Sequence, residues 1–313
     1  MKKNLILFCL PLFIMSAGEY PCKTADKQWQ LSGLDTTTVF GMTVHNGHLY
    51  AGTRGNGIYR LSNNGQSWSP VNTGLTNLFV RSLLSAGTTL FAGTKNGVFL
   101  SADNGTTWIS GNTGIAEGIT VFSLLSVNDH LYAGASSGVY HSTNGGASWT
   151  LQSNGFAGMP YVYALAWQAP NIFAGTQENS IMKSGDNGLT WTRSNTGIPP
   201  GMTISSLHVF NTTSLMCGTD GAGCFLSNDQ GANWKMINNG ITSDRFFGLT
   251  ACNKVIYGGA LNTVFKSADN GLSWTALPVA GLPPNVSVNS ILVYNKKIFI
   301  STDTGIYSYE DIE

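Results

Sequence analysis

Residues able to do chemistry are few in this chain and widely spaced. Lysine and arginine total 16, aspartate and glutamate total 16, and the formal net charge over 313 residues is zero. Glycosidic hydrolysis needs two carboxylates flanking one bond, one of them with a raised pKa. The candidate carboxylates on the face opposite the recurrent turns described below are Asp35, Glu117, Glu178, Asp220, Asp244 and Asp303. They lie far apart in sequence, so only the fold can bring two of them together. His45 and His48 are the closest pair of histidines, and they read as a polar turn; His130, His141 and His208 stand apart from them. No metal-ligand spacing, nucleophile elbow, phosphate loop or dinucleotide fingerprint is present, so neither metal nor cofactor is expected. The absence of a basic stripe argues against nucleic-acid binding.

The elements that must position these groups repeat. Trp29, Trp68, Trp108, Trp149, Trp191, Trp234 and Trp274 follow one another at steps of 39 to 43 residues. Such a period signals a repeat architecture. Ahead of six of them stands one phrase. Its fuller copies are Ser101-Ala-Asp103-Asn-Gly105-Thr-Thr107-Trp108 and those built on Asp186, Asp229 and Asp269; the copies at Asn144 and Asn63 are degraded. Asp or Asn can accept bonds from nearby backbone, and glycine supplies positive φ, so the phrase reads as a hairpin turn.

Each turn is preceded by three short runs of strand character. They are Val80-Arg-Ser-Leu-Leu84 (strand A), Leu90-Phe-Ala-Gly-Thr94 (B) and Gly97-Val-Phe-Leu-Ser101 (C), and strand D starts at the tryptophan. Four short strands per repeat is the pattern of a propeller blade. The first tryptophan has no A–C set before it, and the last A–C set has no D strand after it. The reading is therefore all-β: a seven-bladed propeller of four-stranded antiparallel blades, closed by an N-terminal D strand near residues 28–31. Closure of this kind removes exposed edges.

The phrase Ser-x-Asp-x-Gly-x-Thr-Trp resembles the Asp-box, or BNR repeat, and the resemblance covers about residues 27–309. That box is shared by sialidases, xyloglucan hydrolases, sortilin-type receptors and photosystem II assembly factors. The resemblance implies that Asp103, Asp186, Asp229 and Asp269, with Trp68, Trp108, Trp149, Trp191, Trp234 and Trp274, are structural. They would lie on the face away from the usual active site. A sialidase-like site would need three arginines around a carboxylate. Arg54, Arg81 and Arg245 are the pore-side candidates, while Arg60 and Arg193 fall beside the turns, and the Arg-Ile-Pro phrase is missing. Xyloglucan hydrolases resemble two propellers forming a cleft, and this chain supplies one. The assembly factors resemble it in blade number and export, but their arginine-rich face has no counterpart cluster here.

In an A-to-D meander, B–C and D–A loops share the face opposite the C–D turns. The charged, non-repeating residues expected there are Arg54, Lys95, Glu178, Asp220, Asp303 and Arg245, with Tyr161 and Phe246 on an apolar rim. An aromatic rim with few charges suits protein or glycan binding. The bland alternative for the rim aromatics is packing between blades. The reading is an exported, non-enzymatic propeller that binds a protein or carbohydrate through this face. Its alternatives are a glycoside hydrolase and a purely structural repeat protein.

Residues 1–18 read as a signal peptide: Lys2 and Lys3, an apolar run over 5–15, then Ser16-Ala17-Gly18. Residues 19–26 form a lead and 27–313 the propeller. The apolar run is too short for a good span, so periplasmic or secreted localisation without a stable membrane anchor is expected. Cys217 and Cys224 fall in strands B and C of one blade. They form either a cross-strand disulfide or two buried small hydrophobes. The second is favoured, because cross-strand geometry often fits a disulfide poorly.

Overall fold

The computed structural model describes residues 27–63, 65–177 and 181–310. The signal peptide, the lead and Glu178 lie outside the described residues. Seven four-stranded antiparallel sheets are arranged in a ring. Blade 1 consists of Val39–His45, His48–Thr53, Ile58–Leu61 and Trp68–Pro70 as strands A to D. Blade 7 is assembled from both ends of the chain: Val288–Tyr294, Lys297–Thr302 and Ile306–Tyr309 supply A to C, and Gln30–Gly33 pairs with the last of these as D. Successive A strands pack against one another, and that of blade 7 packs against that of blade 1, which closes the ring. Among the described residues no helix is long and apolar enough to cross a membrane.

The core lies between blades. Ile58 of blade 1 packs with Val80, Phe99 and Trp108 of blade 2, and the same pairing recurs around the ring. Burying a side chain such as Ile58 or Phe99 contributes about 1.5–3 kcal/mol. Six of the seven repeat tryptophans also bond backward across the joint, Trp274 being the exception. The indole N–H of Trp108 donates to the Val71 carbonyl at 2.8 Å, that of Trp234 to Ser194 at 2.7 Å, and that of Trp29 to Pro278 at 2.9 Å. A glycine makes this approach feasible. Gly240 has φ +88, and a Cβ there would strike the Trp274 carbonyl oxygen; Gly74, Gly114, Gly155, Gly197 and Gly281 face the same obstacle. The recurrent apolar residue after each glycine is joint packing, with Leu75, Ile115 and Ile198 buried.

The cysteines resolve in favour of two separate buried thiols. Cys217 stands opposite Phe225, whereas Cys224 stands opposite Gly218. This offset of one residue puts their side chains on opposite faces of the sheet. Cys217 packs with Phe173 and Trp234, and Cys224 with Phe246 and Trp274. Both are free and fully buried, and burial pushes both thiols far above their ordinary range.

Candidate functional site at the pore mouth

The C–D turns are closed hydrogen-bonded units. Ser101 Oγ donates to Asp103 Oδ1 at 2.7 Å and accepts from the Gly105 N–H at 2.8 Å. Asp103 accepts from the Thr107 N–H at 2.8 Å and from its hydroxyl at 2.6 Å. The left-handed residues are Asn104 and Gly105, at φ 60 and +80. Ser184 with Asp186, Ser227 with Asp229 and Ser267 with Asp269 repeat the arrangement. Asn144 reproduces it with an amide. The side-chain bond from Thr107, then its backbone N–H, holds Asp103 down to about 2; Ser273 does the same for Asp269. Blade 1 has Leu61 in place of the serine, and Trp68 there is only half-buried.

The A–B turns lie on this same end. Asn46 Nδ2 donates to Asn104 Oδ1 at 2.6 Å, and the Tyr50 hydroxyl donates to the Asn104 carbonyl at 2.8 Å. His45 and His48 face each other across the turn, as the sequence suggests, and His45 is bonded to Ser85 at 2.8 Å. His130 lies 2.7 Å from His141, and their rings are stacked. Among the described residues, no group of three or more His, Cys, Asp or Glu side chains is placed to hold a metal ion. A hollow of about 710 Å³ on this end runs along the closure seam, lined by turn residues such as Asn46, His48 and Asn295.

The opposite end is different. Every A strand carries a β-bulge near its start, where pairing skips one residue: between Val39 and Gly41, Val80 and Ser82, Val121 and Ser123, Val162 and Ala164, Ile204 and Ser206, Phe246 and Gly248, and Val288 and Ser290. A bulge re-aims the skipped side chain. The skipped residues are Phe40, Arg81, Phe122, Tyr163, Ser205, Phe247 and Asn289. All seven line one cavity of about 440 Å³, together with Gln177, Thr203 and Asp220. Small third residues allow the close fit: Gly93 of strand B has no room for a Cβ beside Ser82 and Val121.

One side of this mouth is aromatic around a cation. The guanidinium carbon of Arg81 lies 4.3 Å from the Phe40 ring centroid, 5.3 Å from Phe79 and 5.4 Å from Phe122. Phe122 continues to Tyr163 at 4.9 Å and to Tyr161 at 5.6 Å. Burial lowers the Arg81 pKa and raises that of Tyr163. The other side is polar. Asp220 is the one carboxylate among the described lining residues, and Arg245 Nε sits 3.1 Å from it. Ser205 donates to the Phe246 and Gly218 carbonyls, and Asn289 donates to the Val39 carbonyl at 2.9 Å.

The sequence-selected residues divide accordingly. Arg54 and Lys95 are exposed and flank Phe79: Arg54 pairs with it in an isolated bridge, and Lys95 Nζ lies 5.8 Å from its ring. Tyr161 is 43% exposed at the rim, beside Met159 at 72%. Asp303 does not converge with Asp220 in the cavity lining; its carboxylate accepts from the Ser287 N–H at 3.0 Å. Phe246 is corrected outright. It is fully buried against Phe265 and Trp274, because it is the paired first residue of its strand and the bulge turns Phe247 to the mouth instead. Phe40, Phe122, Tyr163 and Asn289 were not singled out from sequence. Each occupies the variable place in the run Val-x-Ser-Leu-Leu, and variation there within a uniform strand was the available signal.

No protein-family model matches the chain. No curated protein matches it either. Solved structures do. The extracellular domain of a putative one component system, BT4673 from B. thetaiotaomicron, aligns with a TM-score of 0.72 at 17% identity, over 90% of this chain and 39% of that one. A GH74 enzyme of Niastella koreensis aligns at 0.73 and 19%, over 91% and 54%. YCF48 bound to a D1 peptide aligns at 0.72 and 16%, over 91% and 97%. The chain thus spans about two fifths of the sensor domain and about half of the enzyme. At such identities the likeness concerns the fold: this chain is a seven-bladed propeller structurally similar to these sensor domains, to YCF48 and to GH74 enzymes, with no close sequence match.

Proposed function

We propose that the protein is an exported binding module that holds an extended polypeptide across the pore mouth and does not turn it over. The observation that carries this reading is the composition of the mouth. Phe40 with Phe79, and Phe122 with Tyr161 and Tyr163, form two aromatic groups joined by the Arg81 guanidinium, while the carboxylate of Asp220 is engaged by Arg245. Aromatic and apolar surface with a few placed polar groups is what partner-binding patches present. Paired-carboxylate hydrolysis needs a second acid across the bond, and the described lining offers Asp220 alone. YCF48 carrying a peptide supports the choice of a polypeptide over a glycan. Export rests on the N-terminal charge, apolar run and small residues.

The test is to screen purified protein against a displayed peptide library and a glycan array, with fluorogenic sialosides and β-glucans assayed for turnover in parallel. The expected result is peptide binding that is lost in a Phe122→Ala/Tyr161→Ala double variant and kept in Asp103→Asn, on the far face. Sugar turnover removed by changing Asp220, Asp303 or Glu178 would instead make this a glycosidase.

A further inference from the structure

Arg81 is the most unusual residue at the mouth. It forms no hydrogen bond or ion pair among the described residues, and its Nε is buried without a partner. The three phenylalanine rings around it engage the positive charge but satisfy none of its N–H donors. Among the described residues this partly desolvated cation has no paired carboxylate. Arg245, on the polar side of the mouth, is already paired with Asp220. Arg54 and Lys95 stand exposed on the Arg81 side, so the local potential is positive where the rings are.

We propose that Arg81 is the receptor for a carboxylate carried on an apolar group, and specifically for the free C-terminal carboxylate of a peptide ending in an apolar residue. This rests on the polypeptide reading above and deepens it. A carboxylate matches the planar donor fork of a guanidinium in bidentate fashion. The flanking rings demand apolar neighbours on the ligand. A uronic acid would set its hydroxyls against Phe40 and Phe122, where nothing pairs them. A phosphate dianion would bring twice the charge into the same aromatic surround, with a correspondingly larger loss of hydration. The cavity, at about 440 Å³, falls within the size range of small-ligand sites.

The experiment is a fluorescence-anisotropy titration with a library of peptides ending in phenylalanine, prepared both as free acids and as C-terminal amides. Wild type, R81Q and R81K are compared, and thermal unfolding confirms that each variant is folded. Wild type should bind the acids about tenfold or more tightly than the amides, the range of a hydrogen-bonded charge. R81Q should erase that preference, and R81K should restore part of it. Acids and amides that bind wild type equally overturn the carboxylate assignment while leaving the polypeptide reading in place. An acid preference that survives in R81Q moves the receptor elsewhere and also overturns it. Binding of inorganic phosphate or glucuronate, dependent on Arg81 and tighter than any peptide acid, replaces it. No peptide binding in either form overturns both readings.

Discussion

At one end of the propeller, Ser, Asp and Gly return blade after blade, and their side chains close on their own backbone. At the other end, seven bulged residues occupy equivalent places with five residue types among them: Phe, Arg, Tyr, Ser and Asn. Hydrogen-bond capacity is largely spent internally at the first end, with Gln168 Oε1 and Trp274 Nε1 as exceptions among the described residues. At the second, Arg81 Nε and the hydroxyls of Ser82, Ser123 and Ser206 are buried without partners. Uniformity with saturated bonding is what a structural joint requires. Variation with unspent donors is what recognition requires. A propeller can therefore hold its fold constant with one end and change its ligand with the other.

The sharpest way to break this contrast is to overload the joint between blades. Gly240→Ala should cost about 3 kcal/mol or more, because it combines φ +88 with a collision against the Trp274 carbonyl. Gly201→Ala, at φ +73 in open space on a mouth loop, should cost only about 1 kcal/mol. Urea denaturation of the two variants reads the difference; equal losses would mean that backbone strain alone, not the joint, dominates.

Next comes the turn itself. Ser227 is fully buried, donates to Asp229 and accepts from Gly231. Ser227→Ala should remove about 2 kcal/mol of stability by stranding those groups, as read from the same denaturation curves.

Acid should act on the turn end alone. Asp103 and Asp269 are held at about 2, chiefly by the side chains of Thr107 and Ser273, against an ordinary value of 3.8. A carboxylate depressed in the fold stabilises it above the unfolded-state value. That contribution is lost as pH falls through the folded value. The unfolding temperature should therefore decline between about pH 4 and pH 2. Asp103→Asn with Asp269→Asn should flatten the decline, since Asn144 already makes the same turn with an amide. An unchanged acid slope in that double variant would relocate the acid sensitivity.

The mouth should tolerate change. Arg81→Gln should shift stability by less than about 1 kcal/mol, since only cation–π contacts are given up. Met159→Ser should stay within about 0.5 kcal/mol and affect only partner retention. A loss at Arg81 as large as at Ser227 would make the mouth part of the folding machinery and erase the contrast between the two ends.

How much of this was legible in the sequence follows from the range of the interactions. The turns were readable because Ser101, Asp103, Gly105 and Thr107 bond one another within one heptapeptide. Tyr161, Arg54 and Lys95 lie at the mouth end, near Phe122 and Phe79, because loop order in a meander is simple arithmetic. Phe246 and the cysteine pair were misjudged or left open for one shared reason. Strand side chains alternate, so a single-residue offset reverses the side, and a bulge or a register is not written in composition.

The tryptophan period, the four-strand repeat and the arithmetic of closure were determined by the chain alone, since each copy restates the same local preferences and errors in one are corrected by the others. The mouth was decided only by the tertiary structure. Phe40 and Asn289 are 249 positions apart, yet they line one cavity because the ends of the chain share a blade and every inner strand bulges at the same height. That convergence depends on ring closure about a common axis, a property of all seven blades together and of no segment by itself.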